Sequence, residues 1–373
     1  MNLLRLITFR QQAAAGGLDW RNIGPTYWPD YQTSINATIA TTTVTDAVST
    51  ASGSYPGSDA FIGGVLLPDG RVFCVPRGST TARIYDPVTD TTTTPGVTFP
   101  GTPTTFAGGV LLKDGRVFCV PLTSSSARIY DPVTDTLSTP TGTYPSAGAD
   151  FNAGILLPDG RVFCVPFNST TARIYDPVTD TLSTPTGTYP GSFAFACGVL
   201  LPDGRVFCVP FNSTTGRIYD PVADTLTTTG GTFNYSGGGS FNYGGVLLPD
   251  GRVFCVPHSN TSAPIYDPVS DSTTAISGFP GLQALLCGVL LPDGTVFCAP
   301  RQSTTARIYD PVSNTVSTPT STFSSSSNRN FGCTLMFDGR VFIVPRNGLT
   351  AEIYGGGGGF DQNVSLSAYY NKL

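Results

Sequence analysis

The stretch Gly64–Asp86, GVLLPDGRVFCVPRGSTTARIYD, decides the fold, because close copies of it follow one another along the chain. Its central Asp-Gly turn recurs at 69/70, 114/115, 159/160, 203/204, 250/251, 293/294 and 338/339, which makes seven copies spaced 45, 45, 44, 47, 43 and 45 residues apart. That period belongs to a propeller blade and not to a helical repeat. In each copy GVLL reads as a first strand, and the Pro-Asp-Gly turn leads into RVFCVP as the second. A Ser/Thr loop precedes ARIYD as the third, and PVTD turns into a Thr-rich fourth. Pro presets φ, Asp bonds back to the backbone and Gly accepts a positive φ, so the recurrent Asp-Gly is a hairpin turn and not a metal or catalytic element. The first two strands are apolar on both faces, Val72 and Cys74 on one and Phe73 and Val75 on the other, whereas the fourth is mostly Thr and Ser. Radial packing of blades produces that gradient. A β-solenoid is the competing architecture, but its rungs are shorter and lack two tight hairpins per repeat.

The expected fold class is therefore all-β, a seven-bladed β-propeller of four-stranded antiparallel blades. The last copy lacks its fourth strand, since Ala351–Tyr354 runs into GGGGG at 355–359. A spare strand at 38–50 fills the vacancy, and this N-terminal strand closes the ring and removes both sheet edges. The chain divides on this reading into an N-terminal docking arm (1–37), the propeller (38–355) and a C-terminal tail (356–373). The arm carries Leu3, Leu4, Ile7, Phe9, Trp20 and Trp28. Its first ten residues fit a short helix or an added strand equally well.

Composition narrows the function. Gly 43, Pro 31 and a charged fraction of 12% suit many short strands, and a net charge of −5 leaves no basic stripe for a nucleic-acid backbone. Arg5 and Arg10 interrupt the apolar start, so no secretory signal is read there, and no run is long enough to insert in a membrane. Six of nine cysteines occupy one motif position (Cys74, Cys119, Cys164, Cys208, Cys255, Cys298). Equivalent positions in adjacent blades lie roughly 10 Å apart, beyond disulfide reach, so these are expected to be reduced core fillers. Cys197, Cys287 and Cys333, near the start of first strands, are read the same way. Arginines follow six of the Asp-Gly turns (Arg71, Arg116, Arg161, Arg205, Arg252, Arg340) and open five of the third strands (Arg83, Arg128, Arg173, Arg217, Arg307), and they are expected to pair with Asp from strand to strand.

GVLLPDGRVFCVP followed by ARIYDPVTDT resembles the repeats of kelch and galactose-oxidase-type propellers over about 300 residues. Two features of those repeats are missing: Val75-Pro76 stands in place of the glycine pair, and the fourth-strand Trp is absent. The resemblance implies the fold. It also brings in the copper-radical oxidases of that superfamily, which need two histidine ligands and a tyrosine cross-linked to cysteine. The chain has one histidine, His258, which is expected to be a surface loop residue and leaves no imidazole-built metal site and no Ser-His-Asp set. No cofactor and no catalytic residue is assigned, and the chain is read as not an enzyme.

What varies between copies is more informative than what repeats. After the second strand the copies read Arg77, Leu122, Phe167-Asn168, Phe211-Asn212, His258, Arg301 and Arg346, and the longest loop entering a first strand carries Phe241 and Tyr243. These loops emerge on one face of an antiparallel blade and are the candidate binding residues for protein or glycan; neutral drift is the competing account. The functional expectation is a structural and binding module. It is read as a bacteriophage virion component (tail, fibre or head decoration) that docks other virion proteins through its arm and tail, in a symmetric oligomer, with host-surface adhesion as a further use. The alternatives are an extracellular lectin-like propeller that binds cell-surface glycans and a galactose-oxidase-like oxidoreductase.

Overall fold

Each copy of the repeat forms one antiparallel sheet. Blade 1 consists of Phe61–Leu66, Val72–Pro76, Arg83–Asp86 and Thr91–Thr93, hydrogen-bonded in chain order, and blades 2 to 6 repeat that order. In this computed structural model the described residues are 45–355 except 102–104, 146–147, 234–241, 282 and 325–329, and their regular structure is entirely β-strand. The arm residues Leu3 to Trp28, the tail and Phe241 lie outside them. First strands of successive blades lie side by side around the ring, and that of blade 7 returns to that of blade 1. The protein is thus a seven-bladed β-propeller. Its first strands start earlier than the motif suggests, at Phe61 in blade 1, because a register shift between Phe61 and Gly64 adds an irregular segment before the apolar run.

Closure uses the end of the expected spare strand. Val48–Thr50 pairs antiparallel with Glu352–Tyr354, Val48 opposite Tyr354 and Thr50 opposite Glu352, and so becomes the outer strand of blade 7. A second device shows why this segment fits. In most blades the turn before the fourth strand ends in a left-handed Asp whose carboxylate caps the preceding blade's loop: Asp180 accepts from Thr141 N and Oγ1, and Asp224 from Thr186 N and Oγ1. Blade 7 has no such turn, and Asp46 takes the role, accepting from Thr320 N at 2.6 Å and Thr320 Oγ1 at 2.7 Å.

The core lies between blades. The second-strand Phe of each blade stacks on the third-strand Tyr of the next, as in Phe73–Tyr130 (4.8 Å), Phe163–Tyr219 (4.9 Å) and Phe297–Tyr354 (4.4 Å). Phe342–Tyr85 (4.8 Å) joins blade 7 to blade 1 and completes the circle. Each such pair adds about 0.5–1.5 kcal/mol beyond the area it buries. The six motif cysteines are buried, unbonded fillers, as expected. Cys287 and Cys333 are not: they form a disulfide between the first strands of blades 6 and 7, with Cα atoms 6.2 Å apart. The spacing argument fails for them because they occupy different strand positions. Cys333 stands where other blades have the glycine that faces the neighbouring blade; a Cβ added to Gly245, for example, would meet Cys197 Sγ at 3.6 Å.

The arginines also differ from expectation. Arg71 bonds Asp69 within its own turn, Nε to Oδ2 at 2.8 Å, and Arg116, Arg161, Arg205, Arg252 and Arg340 do likewise, so the pairing is local and not strand to strand. Third-strand arginines donate to a Thr or Ser hydroxyl and a carbonyl, as Arg83 does to Thr81 Oγ1 and Ala82 O.

Candidate functional site

The end of each second strand lies beside the start of its first strand, tied by bonds such as Arg77 N to Ala60 O at 2.8 Å. Three sets of side chains therefore meet on one face, from the residue after the second strand, from the loop entering the first strand, and from the second residue of the first strand. The first set is the one singled out by its variation: Arg77, Leu122, Phe167, Phe211, His258, Arg301 and Arg346, in ring order. The order is not random. Blades 6, 7 and 1 contribute arginines, and blades 3 to 5 contribute rings.

The arginines converge on Phe331, the second residue of the first strand of blade 7, which is 5% exposed. The guanidinium carbons of Arg346, Arg77 and Arg301 lie 4.6, 5.0 and 5.8 Å from its centroid, in cation–π range. Asp59, in the loop entering blade 1, answers two of them. Its Oδ1 accepts from Arg346 Nε, and its Oδ2 lies 3.4 Å from Arg77 Nε. Arg301 donates through Nη1 to His258 Nε2 and to Gln283 Oε1 (3.3 Å), while its buried Nε has no hydrogen-bond partner among the described residues. Burial lowers the pKa of Arg77 and of Arg301, and the neighbouring guanidiniums add to the effect. Three cations and one carboxylate thus share a partly desolvated site.

On the other side the rings form a continuous path. Phe331 meets Tyr243 edge-on at 5.7 Å, Tyr243 meets Phe211 at 5.3 Å and His258 at 5.3 Å, and Phe211 meets Phe167 at 5.6 Å. Phe193, from the loop entering blade 4, packs on Phe167 at 4.9 Å. His258 is 5% exposed, so it is not the surface residue expected. Burial first, then Arg301, pushes its pKa down to about 4, and because Arg301 can only donate, Nε2 is the acceptor and Nδ1 faces Ser259 Oγ at 3.0 Å. Among the remaining candidates, Leu122 is core, and Asn168 and Asn212 brace loops by donating to Gly148 O and Ser192 O.

Asp59, Phe193, Gln283 and Phe331 were not singled out by the sequence. Three of them share a signal: Asp59, Phe193 and Gln283 each lie two residues before a first strand, with φ of 59, 61 and 59°. Among the described residues no group of three or more His, Cys, Asp or Glu could hold a metal.

No family model and no curated protein matches this chain. Solved structures do. It is similar to virginiamycin B lyase from Staphylococcus aureus (11% identity, 83% of this chain and 99% of that one, TM-score 0.68). It is also similar to the extracellular domain of a hybrid two-component system from B. thetaiotaomicron (10%, 82% and 39%, TM-score 0.62). A third is a fungal alcohol oxidase of the AA5 family in complex with copper (15%, 82% and 76%, TM-score 0.59). At these identities the likeness shows the fold alone. Nothing in the likeness speaks for a kelch family or for a bacteriophage origin. The reading of the chain as not an enzyme is corrected here: a lyase and an oxidase carry catalysis on this same fold, and a shortage of histidine excludes only chemistry built on imidazole pairs or triads.

Proposed function

We propose that the loop face of this propeller is a recognition site for an anionic ligand. The observation that carries the reading is the convergence of Arg77, Arg301 and Arg346 on Phe331 with Asp59 as the carboxylate bonded among them. Clustered guanidiniums in a partly desolvated place repel one another, and an anion that accepts from them relieves the repulsion and forms charge-assisted bonds. Calorimetric titration with inorganic sulfate at low ionic strength tests it. Saturable binding is expected in the wild type, weakened at least tenfold in the double variant Arg301→Met/Arg346→Met. Equal binding by both proteins would overturn the reading.

A second reading is favoured by His258. A histidine-to-alanine variant of the lyase neighbour is catalytically inactive, and here the single histidine is held neutral beside the arginine cluster, its Nε2 occupied by Arg301. An anionic substrate that draws Arg301 away would free Nε2 as a proton acceptor. Turnover of a bound ligand that survives His258→Gln unchanged would exclude that role. The virion assembly role, with docking through 1–37 and 356–373, is a separate proposal resting on the sequence; protease-resistant ends in an isolated monomer would count against it.

A further inference from the structure

The guanidiniums do not stand alone, and the carboxylate between two of them restricts which anion the site can take. Asp59 is the most open member of that group. Its side chain is 32% exposed, against 14% for Arg77 and 18% for Arg346, so an anion that comes from solvent to these two arginines arrives alongside a carboxylate. The backbone holds the carboxylate there. Asp59 has a left-handed conformation (φ 59°), and its N–H donates to Asn347 Oδ1 at 2.7 Å, which ties the loop entering blade 1 to blade 7.

Hydrogen-bond capacity shows what is left for a ligand. A guanidinium has only donors, and the buried Nε atoms of Arg77 and Arg301 have no hydrogen-bond partner among the described residues. The acceptors beside Arg301 are occupied. The lone pair of His258 Nε2 receives Arg301 Nη1, and Gln283 Oε1 accepts from Arg301 Nη1 at 3.3 Å and from Gln302 Nε2 at 3.2 Å. Asp59 differs from both. A carboxylate has about four lone-pair sites, of which Arg346 fills one and Arg77 faces another. A ligand on Arg77 and Arg346 therefore meets donors and, next to them, a charged acceptor with capacity to spare. An anion with no hydrogen of its own gains from the donors and is repelled by the acceptor, whereas an anion that carries an O–H gains from both.

We infer that the ligand is an oxyanion bearing its own hydroxyl, with its charged oxygens on Arg77 and Arg346 and its O–H donated to Asp59. The inference rests on the anion-binding reading above. Acid phosphate groups and hydroxycarboxylates share this chemistry. A site arranged around a ligand hydroxyl discriminates against the analogue that lacks it, because the acceptor is then left unpaired.

The test compares two matched pairs by calorimetry on the full chain at pH 6: inorganic sulfate with inorganic phosphate, and acetate with glycolate. Phosphate has O–H groups at that pH and sulfate has none, while glycolate adds one hydroxyl to acetate. Sulfate carries the larger charge, so attraction to the arginines alone gives the opposite order. In at least one pair the hydroxyl-bearing member is expected to bind about tenfold more tightly or better, and which pair does so separates a phosphate source from a hydroxy acid. Asp59→Asn is the control, because asparagine tolerates the left-handed backbone and removes only the charge. In that variant sulfate should bind more tightly than in the wild type, and the preference for the hydroxyl should fall severalfold. The ligand pairs decide the matter in the wild type even if the variant does not fold. Binding that is lost in Arg301→Met/Arg346→Met but shows no preference in either pair would overturn the inference and leave the anion site standing. A preference unchanged in folded Asp59→Asn would overturn the assignment of the acceptor. Failure of all four ligands to bind would remove the anion site itself, and this inference with it.

Discussion

Arg346 donates through Nε to Oδ1 of Asp59 across the seam where blade 7 meets blade 1. The same carboxylate lies 3.4 Å from Arg77, so one partly exposed Asp offsets two guanidiniums that share the ring of Phe331. Asp59→Asn removes that charge and keeps the shape. Leaving two part-buried cations without their carboxylate should cost about 1–3 kcal/mol. Added sulfate should return much of the lost melting temperature, and more of it than in the wild type. A variant that melts like the wild type with and without sulfate would show that Asp59 does not hold the cluster together.

His258 makes stability depend on pH in a defined window. Its folded pKa is about 4, below the unfolded value of 6.5, so the unfolded chain binds the proton first. Its contribution is complete above pH 6.5 and is lost as pH falls toward 4, a change of about 3 kcal/mol when integrated. The difference in unfolding free energy between wild type and His258→Gln, measured from pH 7.5 to 4, should shift by that amount in favour of the variant. Parallel curves would mean that the imidazole titrates normally in the folded state.

The fold was legible because its signal is local and repeated: Pro68-Asp69-Gly70 states a hairpin, and seven copies at one spacing state a ring. Half of the candidate site was legible for the opposite reason. Arg77, Phe211 and Arg301 stand out where a shared frame imposes no residue type. Phe331 did not stand out, because it lies two residues before the motif begins, at the place of Ile62, where an apolar residue reads as core, and only the ring geometry brings three blades' arginines over it. Asp59 and Gln283 lie in loops of unequal length, whose alignment depends on a shared left-handed backbone that single residues do not announce. The Cys287–Cys333 bond was hidden because it joins unlike positions of neighbouring blades, whereas the repeat invites comparison of like positions.

Closure of the ring predicts a large effect from a small segment. Without residues 1–50 the edge Glu352–Tyr354 has no partner, and Thr320 loses the carboxylate of Asp46. The truncated chain should melt well below the full one and associate through the open edge, detectable by light scattering. Asp46→Ala, which keeps the strand, should cost only about 1–2 kcal/mol. A truncation that melts like the full chain and stays monomeric would show that the outer strand of blade 7 is dispensable.

The cysteines can be counted directly. Seven of the nine are unbonded. Burial pushes the thiols of Cys119, Cys164 and Cys197 up to about 12 and raises those of Cys74, Cys208, Cys255 and Cys298 as well. At pH 8 a thiol with a pKa near 12 is thiolate on the order of one part in ten thousand, and the thiolate is the reacting species. A chromogenic disulfide reagent should therefore find almost no reactive thiol in the native protein. In denaturant without reductant it should find seven, because Cys287 and Cys333 remain bonded, and after reduction nine. Nine thiols in denaturant alone would show that the first strands of blades 6 and 7 are not covalently joined, and rapid reaction of one thiol in the native state, lost in Cys197→Ser, would show that this half-buried cysteine is accessible.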